Sequence, residues 1–237
     1  MRMSLTGPQF QTASGVDQTI RNAVERLKAV PGVELASATC CVPLQGGYGL
    51  PFTIAGRPLD KGPYHGGAGW MTASTGYFDV FKIAVKRGRA FNDRDDAQAT
   101  PVVVINEAMA KQFWPKADPI GERITIGHGV MHEFATEPQR TIIGVVADTR
   151  DEGLNNDPQP QMFVPQAQVP DAVNALNVKL TPMAWVVRTR TNPLALSKAI
   201  EESLRQSTGL PISNIASMES VVSGSTSRQC FRMWLMT

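Results

Sequence analysis

Hydrophobic and polar positions alternate from the first residue. Met1, Met3 and Leu5 alternate with Arg2 and Ser4, the period-two signature of a strand. From Gly15 to Val30 the period lengthens. Val16, Ile20, Val24 and Leu27 recur at helical spacing, and Arg21, Glu25, Arg26 and Lys28 occupy the other faces. Ser14 is the expected N-cap, and Pro31 with Gly32 ends the helix. Val33, Leu35 and Ser37 then alternate against Glu34, Ala36 and Ala38, which predicts a strand to Thr39. The same order returns late in the chain. Ala184 to Thr189 predicts a strand, and Asn192 caps a helix whose first residue is Pro193, with Leu196, Ile200 and Leu204 on one face. Gly209 and Pro211 stop that helix, Ile212 to Met218 predicts another strand, and a Ser-rich segment leads into a final helix.

Two strand-helix-strand units can pair into one four-stranded sheet with both helices on one face, a ferredoxin-like layer. A right-handed crossover within each unit makes its strands parallel neighbours or leaves one slot between them for a strand of the other unit. The stretch from Pro51 to Leu180 is then an insertion with its own core. Short strands are expected at Phe52 to Ala55, Gly69 to Ser74, Gly121 to Ile126 paired with Thr141 to Val146, and Met162 to Val164. Pro101 to Ile105 is the most continuous apolar run and the expected buried strand. Tyr77, Phe78 and Phe81 mark a short helix, and Asn106 should cap another through Phe113. The expected fold class is α+β. A discontinuous layer from residues 1–50 and 181–237 would carry a small mixed subdomain from residues 51–180.

Composition narrows the function classes. Hydrophobic residues are 42% and charged residues 19% of the 237 residues, the balance of a globular protein rather than of a disordered or membrane-filling chain. Twenty-three Lys and Arg against 21 Asp and Glu give a net charge of +2 without a concentrated basic surface, so no nucleic-acid partner is expected. The longest stretch without a formal charge, Leu35 to Gly56, is broken by Pro43, Gly46, Gly47, Gly49 and Pro51 and so is not a membrane helix. Met1 to Leu5 has no apolar core of a signal peptide. The chain opens inside a strand, and Cys230 to Thr237 grows increasingly apolar, so both ends have the look of cut points. Cys40 and Cys41 read as small apolar residues beside a strand end, against a bridge from either to Cys230.

Candidate chemistry is sparse. His128 and His132, with Glu133 beside them, have the i, i+4 spacing of a zinc pair, but Gly127 and Gly129 favour a solvent-exposed hairpin loop and no third ligand is evident. Asp93, Asp95 and Asp96 lack the central Gly and closing Glu of a calcium loop, and a turn in which Asp95 or Asp96 pairs with Arg87 or Arg89 is expected instead. Gly46, Gly47 and Gly49 lack the order of a phosphate loop and read as a flexible loop. Ser223 and Ser225 lie in no nucleophile elbow. No catalytic residue, cofactor-binding residue or metal ligand is assigned, and no cofactor is expected.

The ordered words PGVELASA from Pro31, PLQGGYG from Pro43, IAGRP from Ile54, TGYFDVFKI from Thr75 and KRGRAFNDRD from Lys86 carry a family likeness. VVVINEAMAKQFWPKADPIGERITIG from Val102, TIIGVVADTRDEGL from Thr141 and QMFVPQ from Gln161 continue it. In this series the chain resembles the periplasmic core domain of MacB-type ABC transporter permeases, within the FtsX-like superfamily and closest in flavour to the acidobacterial duplicated orphan permeases. The resemblance implies a non-enzymatic extracytoplasmic domain between the first and second membrane helices of a permease in the cell inner membrane. It implies a porter-like part from the two chain ends and an inserted part called Sabre. Implied partners are a second permease subunit or half, a cytoplasmic ATPase reached through the membrane helices, and a periplasmic adaptor. The implied work is mechanical, passing ATP-driven motion to substrate export or to partner proteins. The competing readings are a free-standing ligand-binding protein with a cleft between sheet layer and insertion, and a metal enzyme at His128, His132 and Glu133.

Overall fold

The computed structural model describes residues 1–45, 47–60, 62–151 and 153–234, with side chains as far as Thr226. In chain order the elements are β1 (Arg2–Met3), α1 (Ala13–Lys28), β2 (Val33–Thr39), β3 (Tyr48–Ile54), β4 (Gly66–Ala73), α2 (Tyr77–Phe81) and β5 (Val85–Gly88). There follow β6 (Val102–Asn106), α3 (Glu107–Phe113), β7 (Arg123–Ile126), β8 (Arg140–Val146), β9 (Gln161–Pro165) and α4 (Asp171–Leu180). The chain ends with β10 (Met183–Thr189), α5 (Ser197–Thr208) and α6 (Met218–Trp234). Among the described residues no helix is long and apolar enough to cross a membrane.

The chain-end strands form one layer in the order β1-β10-β2, antiparallel throughout. β10 therefore fills the slot that the right-handed crossover left between β1 and β2. Both α1 and α5 bury their apolar faces on this layer, Val16, Ile20 and Leu27 from one and Ile200 and Leu204 from the other, against Met3, Ala36, Ala38 and Trp185. Each fully buried Leu or Ile stabilises this packing by about 1.5–3 kcal/mol. Three expectations need correction here. The cap of α1 is Thr12, whose hydroxyl accepts from Gly15 N at 3.2 Å, not Ser14. Val33 shares the helix-facing core with Ala36 and Ala38, because the register slips between Thr189↔Val33 and Arg188↔Leu35 and resets the alternation along β2. Finally, Ile212 to Met218 is not a strand. Asn214 adopts a positive φ of 50°, and only Ser213 bridges Arg2, through two hydrogen bonds of 2.8 Å.

The middle of the chain closes on itself. Six strands run β4-β3-β7-β8-β6-β9 and return to β4 through the parallel pairs Gly69↔Gln161 to Ala73↔Pro165. The result is a small mixed sheet, as expected, but one closed into a ring. β6 is buried at all five positions because Val103 and Ile105 point into the ring while Val102 and Val104 point outward beneath α2. Burial on both faces is what the unbroken apolar run required. Asn106 ends β6 and caps α3, its Oδ1 accepting from Met109 N at 3.0 Å. α3 then sends Met109, Ala110 and Trp114 into the ring core with Phe52, Trp70 and Ile124. Two elements were not expected, β5 and α4. β5 pairs with β8 where Gly88 faces Gly144, and each glycine is required because a Cβ at Gly88 would lie 2.1 Å from Ile143 O and one at Gly144 2.1 Å from Arg89 O, just past β5.

Among the described residues the layer and the ring share one register pair, Thr39↔Ala73. Hydroxyl groups extend this seam beyond the ladder. Ser74 Oγ accepts from Ala38 N at 2.9 Å and lies 2.8 Å from Ser37 Oγ, and Thr39 Oγ1 donates to Thr72 O at 2.7 Å. α2 crosses the seam from the ring side, and its Val80 packs with Ala184 and Val186 of β10.

Candidate functional site

β10 carries two sets of side chains. Met183, Trp185 and Val187 face the helices, while Ala184 and Val186 join Val42 and Val80 on the opposite face. Strand alternation puts Arg188 on that same opposite face, and its Nη2 donates to Val80 O. Around β10 lies a groove of about 780 Å³, lined by Ala184, Val186 and Arg188 of this face and by Trp185, Val187 and Ile200 of the helix-facing side. Its floor is β10, one wall is Val80 and Phe81 of α2, and the other is Asn214 to Glu219 with Val221. The volume is that of a small-molecule site, and the lining is mainly apolar, as such sites are.

Polar groups are few and placed at intervals. Arg2 closes one end, donating to Cys40 O at 3.1 Å, to Pro182 O at 3.2 Å and to Gln45 Oε1 at 2.6 Å. Arg188 has a buried Nε without an acceptor, and no carboxylate lies within ion-pair distance of it among the described residues. Trp185 Nε1 is likewise buried without an acceptor. The groove also follows an open sheet edge. Trp185 exchanges hydrogen bonds with Met1, at 2.8 and 3.1 Å, so alternation directs the N–H and C=O of Val187 to that edge, past the end of β1. Ile215, Met218 and Leu194 are exposed beside it, at 39%, 39% and 56%.

The residues singled out in the sequence lie elsewhere. His128 is exposed on a loop and His132 is exposed on the short 3₁₀ turn His132–Phe134, with Glu133 half-buried. Among the described residues no three His, Cys, Asp or Glu side chains gather as a metal site. Asp95 does pair with Arg89, through bonds of 2.7 and 2.8 Å, and also accepts from Asn92 N. Burial pushes its carboxyl up, but the Arg89 and Asn92 donors outweigh this and hold it below the usual range. Asp93 and Asp96 do not join that pair; Asp96 caps the next turn through Gln98 N and Ala99 N. The GGYG segment is less of a loop than expected. Tyr48 and Gly49 belong to β3, and Tyr48 stacks on Trp70 at 5.3 Å; Gly46 lies outside the described residues. Ser223 and Ser225 lie on α6.

Cys40 and Cys41 are buried free thiols with their sulfurs 2.7 Å apart, and Thr72 N donates to Cys40 Sγ at 3.3 Å. The Cys41 thiol is pushed well up by its bond to Cys40 and by burial. The Cys230 side chain lies outside the described residues.

Sequence reasoning missed one buried charged group. Arg140 is fully buried at the start of β8, bonded to Glu137 at 2.5 Å and to Gln168 O at 2.9 Å. Gln168 in turn accepts from Val102 N and donates to Asp96 O and Thr100 O, closing one end of the ring. Burial holds the Glu137 carboxyl above its ordinary range despite the opposing Arg140 charge. Each member has a partner within the cluster, so it braces the structure rather than presenting a reactive group. Nothing in the word TEPQR signals it.

Neither the groove nor this cluster assembles a nucleophile, a base and an electrophilic pocket. Comparison with known proteins agrees with the architecture. No curated protein is similar enough in sequence to match. The structure is similar to the periplasmic region of MacB from Actinobacillus actinomycetemcomitans, with a TM-score of 0.51 and 16% identity over 79% of this chain and 73% of that one. It is also similar to the extracellular domain of the noncanonic ABC-type transporter YknZ from Gram-positive bacteria, with a TM-score of 0.51 and 17% identity over 90% of this chain and 97% of that one. At such identities the likeness is one of fold. The family model of the MacB-like periplasmic core domain matches residues 5–206, which take in the ring and all of the layer but β1, and the chain belongs to that family.

Proposed function

We propose that this chain is the periplasmic domain of an inner-membrane ABC transporter permease and that it transmits ATP-driven motion of the membrane helices to substrate export or to partner proteins, without catalysis of its own. The observation that carries the reading, beyond the family, is the position of the first strand beside the segment that leads to the last helix. Arg2 and Ser213 exchange two hydrogen bonds of 2.8 Å, so the first strand lies beside the segment that enters α6, an arrangement compatible with an insertion between two membrane helices.

In this reading the β1-β10-β2 layer, with Ser213 as a vestigial fourth strand, is the ferredoxin-like porter part, from residues 1–50 and 181–237. The closed ring is the Sabre-like part, from residues 51–180. The partners are a second permease subunit or half, a cytoplasmic ATPase and a periplasmic adaptor. A free-standing extracytoplasmic ligand-binding protein is the second reading, favoured by the groove. Reading the natural gene on either side of this segment tests both. One apolar run of about 20 residues before Met1 and three after Thr237 support the permease; their absence overturns it in favour of the binding protein.

A further inference from the structure

We infer that His65 is a proton-operated clasp between β3 and the loop that follows it, holding residues 56–60 against the ring while its imidazole is neutral and releasing them when it is protonated. The inference does not rest on the permease reading. Ile54 ends β3 at 3% exposure, and β4 starts at Gly66 opposite Phe52, so no residue of β4 stands opposite Ile54 to accept from its N–H. The imidazole of His65 takes that place, with Ile54 N donating to Nδ1 at 3.0 Å. A ring nitrogen that accepts carries no proton, so the proton of this neutral ring is on Nε2, which donates to Pro58 O at 3.2 Å. One side chain therefore ties the strand to the loop as an acceptor on one side and a donor on the other. A second proton turns Nδ1 into a donor facing the N–H of Ile54. The amide of a buried residue then loses its acceptor, and the bond that held Ile54 to the ring cannot persist. Protons reach the site without unfolding, because His65 is half-buried rather than enclosed. Little else holds the released stretch. Residues 56–60 are all exposed, and their side-chain tie is Arg57, which donates to Phe113 O at 2.8 Å and lies 5.3 Å from the Trp114 ring centre. The charged and titratable groups on the segments around the ring are Arg57, Asp60 and Tyr64 of the loop, Arg123 of β7, Lys111 of α3 and His128. None of them forms an ion pair with His65 among the described residues, so the two hydrogen bonds govern its protonation.

Nuclear magnetic resonance of the 237-residue chain tests this. At about pH 7.5 the His65 ring nitrogens should show the neutral form with its proton on Nε2. On going to about pH 5 the ring and the Ile54 amide should change in one transition. Across it, protection factors corrected for intrinsic exchange should fall by about tenfold or more at the Ile54 and Arg57 amides, and by less than about twofold at Ile105 of β6. His65→Asn sets an amide oxygen close to where Nδ1 was and takes up no proton, so both amides should keep their protection at pH 5 to within about twofold. Replacing His128 and His132 together by Asn should leave the transition in place, because His128 meets the loop only through its main-chain oxygen, which accepts from Tyr64 OH at 3.0 Å. Should His65→Asn fail to fold, the coincidence of the ring and Ile54 transitions in the wild type decides alone. A neutral ring with its proton on Nδ1, protection that stays flat down to pH 5, or a transition that survives in His65→Asn overturns the inference. So does a transition lost with His128 and His132, or an equal loss of protection at Ile105.

Discussion

Thr39 faces Ala73 across the one register pair joining β2 to β4 among the described residues, and its hydroxyl donates to Thr72 O at 2.7 Å. Side-chain hydroxyls here replace a backbone ladder. Thr39→Val leaves Thr72 O and Cys41 N without their partner in a buried place and should cost about 1–3 kcal/mol in denaturant unfolding. Ser37→Ala and Ser74→Ala should together cost less than the sum of the two, because each alone already removes the hydroxyl–hydroxyl bond they share. Strict additivity in that cycle would show that the seam is not a coupled network.

The buried pair Glu137 and Arg140 makes a prediction about pH. Burial holds the folded Glu137 carboxyl above its unfolded value, so its contribution to stability is fully present below about pH 4 and is lost as pH rises through the raised folded value. Arg140→Met removes the charge that limits this rise. The variant should be about 3–5 kcal/mol less stable at neutral pH and should recover on acidification, by ~1.4 kcal/mol per unit of added shift. Parallel urea titrations at pH 5 and pH 8 read this directly, and a deficit that does not shrink at pH 5 contradicts it. Glu137→Leu with Arg140→Met should cost less than Arg140→Met alone.

Asp95 behaves in the opposite sense. Arg89 and Asn92 hold its folded carboxyl below the unfolded value, so the stabilisation is present above about pH 4 and disappears as pH falls through the lowered folded value. Arg89 is half exposed and its charge is screened, so Asp95→Asn should cost only about 1 kcal/mol at pH 7. Thermal unfolding at pH 7 and pH 3 should show the wild type losing its advantage at the lower pH; a constant gap would exclude the ion pair as its cause.

Gly144 and Gly121 offer a paired test of why a glycine is present. A Cβ at Gly144 meets Arg89 O at 2.1 Å, whereas Gly121, at φ +87°, has nothing within 4 Å. Gly144→Ala should therefore cost about 3 kcal/mol or more through displaced backbone, and Gly121→Ala about 1–2 kcal/mol through the left-handed conformation alone. Equal losses in thermal unfolding would refute the steric account.

Local features were legible in the sequence where the controlling interaction is local. Asn106 before EAMAKQF announced its cap, and the VVVI run announced a strand buried on both sides. Ring closure was not legible, because β4 and β9 pair in parallel across a stretch that holds α2, α3 and four other strands, and no turn residue signals such a partner. α4 escaped because Asn174 and Asn177 interrupt its apolar stripe; both are used as hydrogen-bond partners, of Phe10 and Gln166 and of Tyr48. The groove was the least visible feature. It draws on residues 1–2, 42, 45, 80–81, 184–189, 191, 193–194, 200, 214–219 and 221, scattered along the chain and forming no motif.

The closed ring also constrains the order in which the chain can fold as it is synthesised. β4 is complete at Ala73, yet the strand that pairs with its other edge begins at Gln161, and β2 waits for β10 until Met183. Over more than a third of these 237 residues, then, two strands with apolar faces stand with an edge unfilled. Neither half can shed its exposed surface early, and both finish only within the last third of these residues, so the growing polypeptide keeps aggregation-prone strand edges open until that third emerges.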